Sequence, residues 1–295
     1  MNKSEKPRQE RQVEGIPEVL EKNAGKLEAF YSSLGFGIPV RDMLHSLSIY
    51  SIEPKNRLGA AFAARSGKLE VPLDPSARSD HVRLHELGHA SAHLKLLPPR
   101  VFKDVKTGRA RQREVTRLGL QTNYRLRKPW GGEEKHLIFF KSLDEAINDE
   151  IAIRAGKEGR SILTHVFLKT LYARMHERFF FSHVRNNLAY AQKRTKNEVF
   201  RDFVEVYQFG WTPQLKQGLL STFGPLALKV LAVIDVNELN DDTSLYKYPF
   251  AKDAYCFFNL RKSAEEREAA GRRILEISRD IVGHKSQPTM RRGQE

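Results

Sequence analysis

Residues 79–93 read SDHVRLHELGHASAH. Ser79-Asp80 offers a helix N-cap. His81, Leu84, His85, Gly88, His89 and Ala92 then recur at helical spacing, and Pro98-Pro99 stop the run. The spacing predicts a helix here, preceded and followed by strand-like sequence.

Upstream, Ala61-Phe62-Ala63-Ala64 and Leu69-Glu70-Val71 flank Ser66-Gly67 as two strands flank a hairpin turn. Earlier still, Pro17 opens a helical pattern that places Val19, Leu20, Leu27, Phe30 and Leu34 on one side and stops at Gly35. A second short helix is predicted around residues 40–48. Downstream, Leu118, Leu120, Thr122, Tyr124 and Leu126 alternate with mostly polar residues, as in one strand. Pro129-Trp130-Gly131-Gly132 makes a turn, and His136 to Phe140 returns as the partner strand. Ser142 is predicted to cap a helix from Leu143 to about Arg154. Everything after Ser161 reads as helical, over 161–180, 183–208, 213–234 and 263–283. Thr212-Pro213 and Ser263-x-x-Glu266 are start signals. Ala270, Ile274, Ile277 and Ile281 share a face of the last helix.

The expected organisation is a flexible tail over 1–16 and an α+β region over 17–158, with a basic hairpin at 100–141. A helical region over 159–283 completes the core or cleft, and 284–295 form a second tail.

Two histidines at i and i+4 lie one above the other on a helix face. Both rings can then reach one ion at about 2.0–2.1 Å. His85 and His89 have this spacing, and Glu86 sits beside them where it can act as general base on a metal-activated water. Gly88 is expected to leave room near the ion. A catalytic zinc needs a third protein ligand and an open position. His93 continues the same predicted helix about 12 Å along its axis from His85, too far to close the set. His136, His165, His176 and His183 have no motif around them. Glu145, in the first turn of the downstream helix, is the best-placed third ligand. Its alternative role is as capping-box partner of Ser142, and Glu150 is a substitute ligand. Asp149, one turn after Glu145, can accept a hydrogen bond from a ligating histidine.

HELGH followed by Asp144-Glu145-x-x-x-Asp149 resembles the gluzincin, thermolysin-like branch of zinc metallopeptidases. The resemblance covers roughly residues 59–155. It departs from the family pattern at Asp144, where Asn is usual, at Asn148, where Ser or Thr is usual, and in a long insertion between His89 and Glu145. HELGHxxxH is also similar to cytosolic peptidases of the ImmA/IrrE type. The resemblance implies a zincin-like fold: a small antiparallel sheet with an HExxH helix and a glutamate helix. It implies one zinc per chain held by His85, His89 and Glu145, with Glu86 as base and Asp149 behind a ligand. The activity it implies is hydrolysis of peptide bonds in a peptide or protein substrate, with the strand around Leu69-Glu70-Val71 as the edge to which an extended substrate adds. An oxyanion-stabilising His or Tyr is expected among His165, His176, His183, Tyr190 and Tyr207.

The formal net charge is +14, which makes an acidic partner or nucleic acid worth weighing. Much of the excess lies between Arg100 and Lys135. A solvated basic surface is the plainer reading of that segment. A zincin-fold regulatory or nucleic-acid-binding protein with little or no peptidase activity is the alternative reading of the whole chain. No stretch supplies the roughly 18 uninterrupted apolar residues of a membrane span. A single cysteine, Cys256, excludes an intrachain disulfide, and the first residues offer no apolar run for a signal peptide. A cytoplasmic location without membrane partners is the expectation.

Overall fold

Four buried side chains at helical spacing hold the first helix down. Leu20, Ala24, Leu27 and Tyr31 are each fully buried along α1 (Glu18–Ser33). The apolar stripe is therefore rotated from the predicted one: Val19, Phe30 and Leu34 lie at its margins, only half-buried. The computed structural model describes residues 11–53, 60–103, 110–127, 133–156, 168–234 and 250–284. The turn expected at 129–132, the start of the helix expected at 161–180 and most of both tails lie outside them.

The architecture is mixed α and β. By its contacts the chain divides into two units, Met1–Ala92 with Ile147–Leu168, and His93–Ala146 with Lys169–Glu295.

The first unit carries a four-stranded sheet. Its strands are β1 (Arg11–Gln12), β2 (Ser48–Ile52), β3 (Ala61–Ala63) and β4 (Lys68–Pro72), in the order β1-β2-β4-β3. The predicted hairpin is the antiparallel pair β3–β4, turned at Gly67 with φ of 61°, a left-handed conformation that glycine adopts without cost. The short helix expected over 40–48 ends early: α2 covers only Val40–Leu44, and Ser48 opens β2. Strand β2 runs parallel to β4. Leu69 and Glu70 are therefore paired on both sides and Val71 on the β2 side, so this strand lies inside the sheet and is not the free edge expected for a substrate. That edge is β3. Helix α3 (Ala77–Ser91) packs on β3, β4 and α1.

The second unit opens with an antiparallel meander of β5 (Leu94–Lys103), β6 (Ala110–Leu118), β7 (Gln121–Arg127) and β8 (Glu133–Phe139). The predicted continuous strand through Leu118 to Leu126 is instead two strands joined at Gly119-Leu120, with φ of 58° at Gly119. Pro98-Pro99 sit inside β5, where the register shifts between Leu97 and Arg100. An outer strand with a bulge is where prolines are tolerated, because their missing N–H groups are not needed there.

Helix α4 (Lys141–Gly156) follows the sheet and carries the division between the units within it. The remaining helices are α5 (Leu168–Gln192), α6 (Lys196–Phe209), α7 (Pro213–Phe223), α8 (Ala227–Val233), α9 (Phe250–Phe257) and α10 (Ala264–His284). The break expected near 181 falls at Lys193, with φ of 53°, followed by a capping box between Thr195 and Glu198. The helix expected over 213–234 is cut at Gly224, with φ of 92°. Helix α9 was not predicted. The start signals at Thr212-Pro213 and at Ser263 with Glu266 act as expected. Phe181, Phe200, Phe203, Phe257 and Phe258 build the core of the helical part, with Phe181 and Phe203 ring centroids 5.1 Å apart. Ala270 and Ile274 are fully buried.

Candidate metal centre

Three side chains fix the start of α3. Ser76, three residues before the predicted cap, accepts a hydrogen bond from Ser79 N at 3.3 Å. Ser79 Oγ turns back to Asp74, and Asp80 receives Asn23 Nδ2 at 2.9 Å together with the Lys26 ammonium. Arg83 is 2% exposed. Its guanidinium donates to Pro72 O at 2.9 Å and to Asp74 O at 2.7 Å, tying the end of β4 to the second turn of α3. A buried charge with that many acceptors is satisfied rather than stranded.

On this fixed helix His85 and His89 are 2% and 7% exposed, with ring centroids 4.8 Å apart in an edge-to-face arrangement. Glu86 is 6% exposed and one position on, turned about 100° around the axis. Leu84 and Leu87 are buried against the core.

Helix α4 meets α3 through small and polar groups. Asn148, fully buried, donates from Nδ2 to His85 O at 2.7 Å. Its side-chain oxygen fills the space in front of Gly88, where a Cβ would collide with it. The room at Gly88 therefore serves helix–helix contact, not the ion. Asp149, 2% exposed, accepts from His81 Nε2 at 2.9 Å and stands 3.9 Å from His85 Nδ1. The predicted partner of a ligating histidine is thus in place behind His85, but its hydrogen bond goes to His81. Sequence reasoning missed His81, although it occupies the same i, i+4 column as His85 and His89.

Glu145 is one turn before Asp149 on the same helix. The ligand atoms of His85, His89 and Glu145 all lie within 4.8 Å of one another. For ligands about 2.0–2.1 Å from an ion, that spacing asks only for small torsional adjustment. Two imidazoles and one carboxylate, two of the three buried, form the nitrogen- and oxygen-donor set that suits zinc with a position left open. Glu150 is instead hydrogen-bonded to Arg154 at 2.6 Å. The side chain of Ser142, the alternative partner of Glu145, lies outside the described residues.

Asp144 joins the second sheet to α4. Its carboxylate, fully buried, accepts from Leu120 N at 2.7 Å and Gln121 N at 3.3 Å, so it clamps the β6–β7 turn to the start of α4. Gly119 lies directly against that carboxylate and the Tyr207 ring. His93 is not on α3, which ends at Ser91. Its N–H donates to Tyr207 O at 3.1 Å and its carbonyl accepts from Gly119 N at 2.8 Å, which anchors the chain as it leaves the helix.

Among the oxyanion candidates, His165 and the side chain of His176 lie outside the described residues, as does that of His136. His183 is half-buried against Tyr255, ring centroids 5.1 Å apart. Burial there lowers its pKa, and a hydrogen bond with Tyr255 O opposes the shift. Tyr190 is 80% exposed, and Tyr207 is fully buried. Comparison with family models, curated proteins and solved structures returned no match to this chain.

Proposed function

We propose that the chain is a zinc-dependent metallopeptidase of the zincin type, with a gluzincin-like ligand set. The observation that carries this reading is the convergence of His85, His89 and Glu145 from two helices, with Glu86 next to the first ligand. Bound zinc would lower the pKa of a water towards 7 and polarise the scissile carbonyl. His85 turns Nδ1 towards Asp149, 3.9 Å away, so Nε2 would be the atom offered to the ion. Asp149 would support the ring through charge, while its 2.9 Å hydrogen bond is to His81. Glu86, whose geometry keeps it out of the ligand set, takes the proton of the attacking water on a carboxylate oxygen and delivers it to the leaving amine. A carboxylate in this role has no use in a purely structural zinc site. An extended peptide can add to the free edge of β3, which packs on α3. No described helix is long and apolar enough to cross a membrane.

Metal analysis joined to proteolysis tests the reading. Purified protein is expected to hold one zinc per chain. His85→Ala, His89→Ala and Glu145→Ala should each lose it, while Glu86→Gln should keep it. Cleavage of an unfolded test protein should fall by about 10²- to 10⁴-fold in Glu86→Gln. Full zinc content in Glu145→Ala would remove the third ligand. Undiminished cleavage in Glu86→Gln would remove the catalytic assignment.

A further inference from the structure

The pairing register of the second sheet gathers positive charge on one face. Residues directly opposite in an antiparallel pair point to the same side. Along β6, Arg111, Arg113, Val115 and Arg117 share a side, and the alternate residues Glu114, Thr116 and Leu118 are buried on the other. Across β5, Lys95 pairs with Arg117 and Arg100 with Arg113. Across β7, Tyr124 pairs with Val115 and Thr122 with Arg117. Five cations therefore share this face with Tyr124, which pairs with Val115 between Arg113 and Arg117, and no acidic residue is paired into this face among the described residues. Lys95, Arg100 and Arg117 are exposed, and Arg113 and Tyr124 half-buried.

Like charges directly opposite each other destabilise a strand pair. This face holds two such pairs, one on each side of the Leu97–Val115 pair. Lys95, Arg100, Arg113 and Arg117 form no ion pair with any side chain that the structure describes. A surface that is merely solvated would gain by placing an acid at one of these positions, so the arrangement calls for an anionic occupant.

We propose that this face binds single-stranded nucleic acid. The cations would meet phosphates, and Tyr124, across from Val115 and diagonal to Arg113 and Arg117, would stack on a base. Four strands at about 4.8 Å spacing make a backbone roughly 14 Å wide, broader than the B-form major groove of about 12 Å. A single strand laid across the face meets no such limit. An acidic polypeptide would satisfy the charges but would have no base for Tyr124. The surface uses none of the proposed zinc ligands.

Fluorescence anisotropy on the full chain tests this, with labelled oligo-dT and oligo-U of about 20 nucleotides, longer than one binding site. Both should bind, RNA and DNA being distinguished by their relative affinities. With five phosphate contacts at a slope of about −0.7 each, affinity should fall about 100-fold between 50 and 200 mM salt. Arg113→Gln/Arg117→Gln should reduce the slope by about 1.4, with zinc content unchanged and the melting temperature held or raised, because two like-charge pairs are relieved. Arg113→Lys/Arg117→Lys should keep the slope. Tyr124→Ala should weaken binding by about 5- to 150-fold. No binding at 50 mM salt, a slope indifferent to the Gln variant, or a preference for duplex would overturn the proposal. So would displacement by oligo-glutamate at equal charge concentration, which would make the face a site for acidic polypeptide.

Discussion

A methyl group at position 88 would fall inside the van der Waals radius of the Asn148 side-chain oxygen. Asn148 cannot easily retreat, because its amide is bonded to His85 O at 2.7 Å and it is fully buried. Gly88→Ala is therefore expected to cost about 1–3 kcal/mol by overpacking. Gly88→Ala/Asn148→Ala should cost less than the sum of the two single changes, with a coupling of about 1 kcal/mol. Denaturant midpoints for the four proteins of that cycle measure it, and strict additivity would show that the two side chains do not meet. Asn148→Ala alone should also weaken zinc binding about tenfold, because this contact sets the height of α4, and of Glu145, against the histidines. At this scale the trio that could hold a metal was legible, and most of its contacts were not. The histidine spacing is a property of one helix. That Asn148 fills the notch at Gly88, or that Asp149 answers to His81, depends on how two helices are brought together.

The same limit holds for whole elements. Helix α3 was legible from its periodicity, and the β3–β4 hairpin from Ser66-Gly67, but the prolines expected to stop the helix lie in β5, beyond its end at Ser91. The N-cap was not, because Ser76, Ser79 and Asp80 all suit the role and distant partners choose among them. Asp80 is taken by Asn23 and Lys26 of α1, so it joins two helices instead of capping one. Burial raises the pKa of that carboxyl, but hydrogen bonds from Lys26 and Asn23 and the charges of Lys26 and Arg83 prevail and hold it below its ordinary 3.8. The folded state thus favours the carboxylate. Its contribution to stability is complete above 3.8 and is lost as pH falls through the lowered folded value. Asp80→Asn is expected to lower stability by about 0.5–1 kcal/mol at pH 7, a figure kept small because the pair is partly exposed. The difference from wild type should shrink below pH 4. Thermal melts of the two proteins at pH 7 and pH 3 decide the matter, and an equal difference at both would mean that the charge of Asp80 is not what joins α1 to α3.

At the scale of the molecule, the broad partition into a mixed region and a helical region was legible from hydrophobic period alone. The interleaving of the units was not. Helix α4 begins in one and ends in the other, and local periodicity cannot report which unit a turn of helix packs on. A ligand that binds only the folded arrangement of α3 and α4 stabilises it by mass action, by about 2.7 kcal/mol at a hundredfold excess over Kd. For a chain of this size that is a rise of about 4–5 °C in Tm. Stripping the metal with a chelator should lower Tm by that amount, and zinc added back should restore it. In His89→Ala, which lacks one buried ligand, neither treatment should move Tm. This comparison reads the metal through folding alone, so it stands apart from any assay of cleavage. A zinc-dependent rise in His89→Ala equal to that of wild type would place the bound ion elsewhere, on one of the remaining histidines, and would separate the proposed centre from the metal.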